Sequence, residues 1–185
     1  KDIKINQGSS IQDGDTANTL NLSFPNHSGT HVDVPYHFFE DGDKLTDYDP
    51  SFWIFNHPVC VDVCSEDGFL VNYNDVMESV NNKTDLLLIR TGYEKFRREP
   101  KYWKKNHGLS VDLAKGLRIK NPNVRAVGID FISVTSRLHR QEGRETHREL
   151  LGKHYSSDPI IIVEDMSLNN YQNTIAQVII LPLMI

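Results

Sequence analysis

Apolar and polar residues alternate along residues 18–24 (NTLNLSF), the period of a strand with one buried face. A shorter strand-like patch lies near the start, in KDIKIN. The segment from His27 to His37 continues the strand-rich beginning, and VCVDV at 59–63 adds another strand. DLLLIRTG (85–92) is instead a continuous apolar run closed by Gly92, the pattern of a strand covered on both faces. Further strands are predicted over 124–134 (VRAVGIDFISV), over 159–166 (PIIIVEDM) and in the terminal VIILPL. Helical patterns lie between them. Residues 73–80 form a short one with Asn72 or Asn74 as its cap, and 93–105 a basic one. Ser110 caps VDLAKGLRIK, which Asn121 and Pro122 end. Glu145 to Leu151 closes at Gly152. From residue 59 onward strands and helices alternate. That pattern predicts an α/β, mixed α+β fold, with sheets packed against helices in one domain over residues 1–185. No internal repeat, low-complexity tract or Pro/Gly/Ser-rich linker interrupts it.

The chain has 185 residues, 38% of them hydrophobic, enough to bury a core without disulfides. A net charge of −5 gives no reason to expect a nucleic acid or a membrane as partner. The basic residues of 94–105 and 137–153 are interleaved with acids, as on solvated helix faces. No apolar run reaches the ~18 residues of a membrane span. Cys60 and Cys64 read as reduced, core or half-buried residues rather than a redox or metal pair. The chain starts at Lys1, so a segment is expected upstream of it.

The chemistry concentrates in His27-Ser-Gly-Thr-His31-Val-Asp33-Val-Pro-Tyr-His37. In an extended chain, residues an even number apart share a face. His27, His31, Asp33 and His37 would therefore point one way, with Val32 and Val34 the other. A helix is excluded by Pro35. In a straight strand His27 and His31 would lie ~13 Å apart, too far for one ion whose bonds to nitrogen are ~2.0–2.1 Å. A bend is predicted at Ser28-Gly29-Thr30, which Gly29 permits. Pro35 is expected to turn the chain and re-aim His37. A polar row of this kind has no use in a sheet unless it forms a metal or acid–base site.

The remaining candidates are weaker. His147 lies in the helical GRETHRELL, and Glu164 ends an apolar strand, where an unpaired carboxylate is costly. Asp130 is a further site-like acid within a strand. His57, His107, His139 and His154 read as surface or structural residues.

The segment HSGTHVDVPYH resembles the HxGTHxDxPxH signature of the metal-dependent cyclase family, which includes bacterial kynurenine formamidase and isatin hydrolase, at every fixed position. LLIRTG, HGLSVDLAKGL, VGIDFISV, THRELL and IIIVEDM resemble further family segments, so that the likeness runs over about residues 18–185. It implies a hydrolase holding one or two Zn²⁺ ions, with Mn²⁺ as the other option. His27, His31, Asp33, His147 and Glu164 would be ligands, Asp33 bridging two ions, and His37 the acid–base residue. It further implies metal-activated hydroxide attacking a small linear or cyclic amide, arylformamide- or isatin-like, in a cytoplasmic homodimer or tetramer. A metal-binding sensor without turnover is the other reading. Two departures stand out. Glu164 follows His147 by seventeen positions, with KHYSSDP as an apparent insertion that makes His154 a rival ligand. The Asp-Leu-Ser strand and Pro-Gly-Asp turn that open the family's chains are missing, and with them the evidence on substrate.

Overall fold

The computed structural model describes residues 3–63, 66–170 and 174–184; Cys64 falls outside them. In chain order the strands and helices are β1 (Lys4–Gln7), β2 (Leu20–Ser23), β3 (His31–Asp33), β4 (Ile54–Phe55), β5 (Pro58–Asp62), β6 (Leu70–Val71), β7 (Leu86–Arg90), α1 (Lys101–Lys104), β8 (Gly108–Leu109), α2 (Val111–Lys120), β9 (Ala126–Ile129), α3 (Arg140–Leu151), β10 (Ile161–Glu164) and β11 (Val178–Ile179). The main sheet runs β3-β10-β9-β7-β5. β5, β7, β9 and β10 are parallel, whereas β3 joins the β10 edge antiparallel and pairs Glu164 with His31.

Both faces of this sheet are covered, which is why its central strands read as unbroken apolar runs. Leu87, Ile89, Val127, Ile129 and Ile162 face one core together with Leu113 and Leu117 of α2 and Leu150 and Leu151 of α3. Leu86, Leu88, Ala126 and Ile161 face the other, with Trp53, Phe55 and Val34. Val32 packs against this second core as well. The valines of the histidine segment thus anchor it to one face while its polar residues turn to the other.

Several expected elements are shorter than their patterns. The helix expected over 73–80 is a 3₁₀ turn, Tyr73–Asp75, and that over 93–105 breaks into Tyr93–Phe96 and α1 around Pro100. The strand expected through 27–37 survives only as β3. Gly29, at φ 67°, bends the chain before it, and Pro35 starts a 3₁₀ turn, Pro35–His37, after it. The helix expected from Glu145 is a turn longer at its start, beginning at Arg140. Ser110 caps α2 as expected, its hydroxyl accepting from the Leu113 amide at 3.1 Å.

Candidate metal centre

Three pieces of backbone carry the site. The first is the bent segment 27–37. The bend at Gly29 brings His27 back over β3, and the turn at Pro35 does the same for His37, so that both reach Asp33 from outside the strand. The second is α3, whose buried residues Gly143, Thr146, His147, Leu150 and Leu151 recur at helical spacing and set His147 on the inner face. Gly143 permits this approach: a Cβ there would lie 2.5 Å from the Thr135 backbone. The third is the end of β10, which delivers Glu164 across from His31.

Asp33 is the hub. Its Oδ1 lies 3.0 Å from His27 Nδ1 and 3.7 Å from His31 Nε2, and its Oδ2 lies 3.8 Å from Nε2 of both His37 and His147. Glu164 faces the same space, with Oε2 3.4 Å from His31 Nε2 and Oε1 3.5 Å from His147 Nε2. The site has two sides. Asp33, Glu164, His31 and His147 are enclosed, whereas the side chains of His27 and His37 are 35% and 34% exposed, with their rings 4.3 Å apart.

Neighbours fix the imidazoles. His31 Nδ1 donates to the Gly29 carbonyl at 2.8 Å, and His147 Nδ1 to the Gly143 carbonyl at 2.7 Å. In each ring the carbonyl holds the Nδ1 proton, so that Nε2 is the nitrogen turned to the carboxylates. This is the arrangement that backbone carbonyls impose on metal-ligating histidines. The Val134 amide and the Ser133 hydroxyl donate to Glu164 Oε1, at 2.7 and 3.1 Å. The Phe38 ring stacks on His147 at 4.7 Å and covers its face.

The residues fit a divalent cation. His31 Nε2 and Asp33 Oδ1 are buried without a hydrogen-bond partner, an arrangement that costs free energy unless something else satisfies them. Among the described residues the ion pairs of Asp33 and Glu164 are all with histidines. Two buried carboxylates without Lys or Arg need compensating charge. His27, Asp33 and His37, and likewise His31, Asp33 and Glu164, place one donor atom each within 4.8 Å of one another. The mixed nitrogen and oxygen set suits Zn²⁺ or Mn²⁺.

Charge balance shows in the titration. Burial disfavours the charged form of His31, yet Glu164, the Gly29 carbonyl and Asp33 outweigh it and raise the imidazole to about 9. His147 moves up for the same reasons, with Gly143 supplying the carbonyl. Burial acts against ionised Glu164 too, but His147, His31 and the Val134 amide hold it below the usual carboxylate range. His37 goes the other way. Burial lowers it and, helped by the neighbouring His27 and His147, outweighs the charges of Asp33 and Glu164.

All six residues singled out in the sequence therefore meet in one place. The rival does not: His154 pairs with Glu149 at 3.0 Å on the exposed side of α3. Asp130 is not part of the cluster either. It is fully buried and accepts from the Thr91 amide and hydroxyl and from the Gly92 amide, holding the turn after β7. Sequence reasoning gave no role to Ser133, Phe38 or the Gly143 carbonyl. Ser133 lies in VGIDFISV, one of the segments that resemble the family, and Phe38 directly follows His37, whereas the Gly143 carbonyl left no signal in the chain.

The sequence model of the Cyclase family ("Putative cyclase") matches residues 3–136. Kynurenine formamidase of Bacillus cereus is 30% identical over 177 residues, covering 93% of this chain and 76% of its own. Cyclase-like protein 1 of Arabidopsis thaliana is 27% identical over 175 residues, and there the chain spans only 62% of its relative's length. Among solved structures, isatin hydrolase A from Labrenzia aggregata superposes with a TM-score of 0.73 at 17% identity, covering 90% of this chain and 71% of that one. A protein described as a predicted metal-dependent hydrolase from Bacillus stearothermophilus gives 0.65 at 20% identity, over 95% and 75%. The family's sequence model matches most of the chain, and the protein belongs to the Cyclase family.

Proposed function

We propose that the protein is a metal-dependent hydrolase that cleaves the C–N bond of a small linear or cyclic amide. The observation that carries this reading is the Asp33 carboxylate, buried amid four histidines and facing Glu164. His27, His31, Asp33, His147 and Glu164 would hold Zn²⁺ or Mn²⁺, which supplies Lewis acidity, polarising a carbonyl and acidifying water. The chain's own contribution is positional and protonic. His31 and His147 are oriented by their Nδ1 bonds, so binding requires little reorganisation. His37 sits on the open side. Its lowered basicity favours the neutral imidazole, whose Nε2 would take the proton of the attacking water. The same Nε2 then returns that proton to the leaving nitrogen as the C–N bond breaks, giving a carboxylate and an amine. Phe38 shields one face of His147 from water.

The test is hydrolysis of a panel of formamides and cyclic amides by Zn²⁺- and Mn²⁺-loaded protein. Turnover lost on chelation and regained on metal addition is expected. Stoichiometric metal binding with no turnover on any member would favour a sensing or binding role.

A homodimer is proposed as well. β1 and β2 form a hairpin with Ile5 opposite Leu22 and Gln7 opposite Leu20. Ile3, Ile5, Leu20, Leu22 and Phe24 are 42–63% exposed. Strand alternation puts them on one face. Two strands alone are marginally stable in water. Five such side chains expose roughly 500 Å², so a twofold pair would cover on the order of 1,000 Å², the lower bound of a stable interface. Light scattering should give twice the chain mass, and Ile5→Lys with Leu22→Lys should return a monomer. A wild-type monomer at high concentration contradicts the assignment.

A further inference from the structure

Among the described residues, Asp165 is the only non-glycine with a positive φ, at 56°. It directly follows Glu164. A side chain makes this left-handed conformation unfavourable, and Asp is one of the few that adopts it. Such a conformation persists where its surroundings over-determine it.

Here the surroundings converge from three parts of the chain. The Asp165 amide donates to the Phe131 carbonyl at 3.0 Å. Its carbonyl accepts the Thr30 hydroxyl at 2.6 Å and Arg97 Nη2 at 2.8 Å. Its carboxylate accepts Arg97 Nε at 2.8 Å and the Tyr102 hydroxyl. The same guanidinium nitrogen, Nη2, also donates to the Met166 carbonyl at 2.6 Å. Arg97 thus grips the turn after β10 by side chain and backbone together, in the fork geometry that lysine cannot reproduce.

Thr30 gives this grip its meaning. It stands between Gly29, where the histidine segment bends, and His31. The bend that aims His27 and His31 and the strand end that aims Glu164 therefore meet at one peptide carbonyl, that of Asp165. Moving this carbonyl would change the 3.4 Å between His31 Nε2 and Glu164 Oε2. The side chains of Arg97 and Asp165 pair with each other at 2.8 Å and leave the cluster's own contacts to the ligands.

We infer that Arg97, Asp165 and Thr30 are positioning residues that hold His31 and Glu164 at the separation required for metal binding. The inference rests on the metal-dependent reading above. It assigns a role to residues that lie outside the histidine segment's ligand pattern, apart from Thr30. Partners that orient metal ligands are worth ~10–100-fold in affinity.

The experiment is Co²⁺ and Zn²⁺ affinity by competition with a chromophoric chelator, together with the visible spectrum of the Co²⁺ protein. Arg97→Met keeps an apolar stem and removes every bond of the fork. Thr30→Val removes one hydroxyl at nearly constant shape. Each should weaken metal binding by ~10-fold or more and alter the Co²⁺ spectrum, which a loss of global stability alone would leave unchanged. Because both act on one carbonyl, the double variant should lose less than the product of the two. Asp165→Gly in the Arg97→Met background should recover part of the affinity, since glycine adopts the turn without a clamp. Folded variants that bind Co²⁺ like the wild type, with its spectrum, overturn the inference and leave the metal-dependent reading standing. A wild type that takes up neither ion removes both. Should Arg97→Met fail to fold, Thr30→Val decides the matter alone.

Discussion

His107 and His147 are equally hidden, at 1% and 3% exposure, and chemically they have become opposites. His107 lies against the rings of Tyr93 and Phe131, at 4.3 and 5.7 Å. Burial drives its imidazole down to about 4, beyond what Asp67 restores, and Lys101 works in the same direction as burial. His147 meets the same desolvation but faces Glu164 and Asp33, and its basicity rises. Burial alone makes a neutral structural histidine. Burial beside two carboxylates that face no Lys or Arg makes a place that collects positive charge, whether as protons or as a divalent ion.

The most severe way to test that contrast is to remove the carboxylate at its centre. Asp33→Ala takes away the group that faces His27, His31, His37 and His147, and leaves His147 closer to the condition of His107. Most bound metal should be lost, an affinity decrease beyond the ~10–100-fold typical of residues that only orient ligands, with hydrolysis falling in step. Elemental analysis of the dialysed variant measures it. Full metal content would sink the ligand assignment.

His37 sharpens the contrast from the exposed side. It shares Asp33 with the buried histidines, yet burial and two neighbouring imidazoles keep it neutral rather than cationic. His37→Ala should leave metal content nearly intact while lowering turnover by ~10²-fold or more, as for a lost acid–base group. His37 also belongs to a donor triple with His27 and Asp33, so the outcome discriminates. A variant that loses metal and activity together makes His37 a ligand; one with unchanged turnover on a good substrate makes it a bystander.

How much of this was written in the chain varies with the range of the forces involved. The bend at Gly29 and the turn at Pro35 were legible because each depends on one residue's backbone. The central strands were legible because a sheet covered on both faces demands continuous apolar runs. His147 and Glu164 could be placed only by resemblance to a family, since nothing local says that a helix face and a strand end will meet Asp33. Asp130 misled for a related reason. A buried acid that caps the Thr91–Gly92 turn has the same sequence signature as one in a site, and only its tertiary partners separate the two. The clamp on Asp165 joins positions 30, 97, 102 and 165, a set with no common spacing.

The mildest prediction returns to His107 and concerns stability alone. In the folded protein its pKa is about 4, against 6.5 for an unperturbed histidine. Between these values the unfolded chain binds a proton that the folded chain rejects, so the unfolded state gains relative to the folded one as pH falls. The contribution of a neutral His107 is complete above pH 6.5 and is lost progressively toward pH 4. At pH 5 the loss amounts to about 2 kcal/mol, since one proton bound only by the unfolded chain is worth ~1.36 kcal/mol for each pH unit crossed. Other groups titrate in the same interval, including the site histidines, so the diagnostic quantity is a difference. Urea unfolding at pH 7.5 and pH 5 should show His107→Phe losing about 2 kcal/mol less than the wild type over that interval, whatever its starting stability. Parallel losses in the two proteins would mean that the wall of Tyr93 and Phe131 does not exclude the proton, and that His107 and His147 differ less than their surroundings imply.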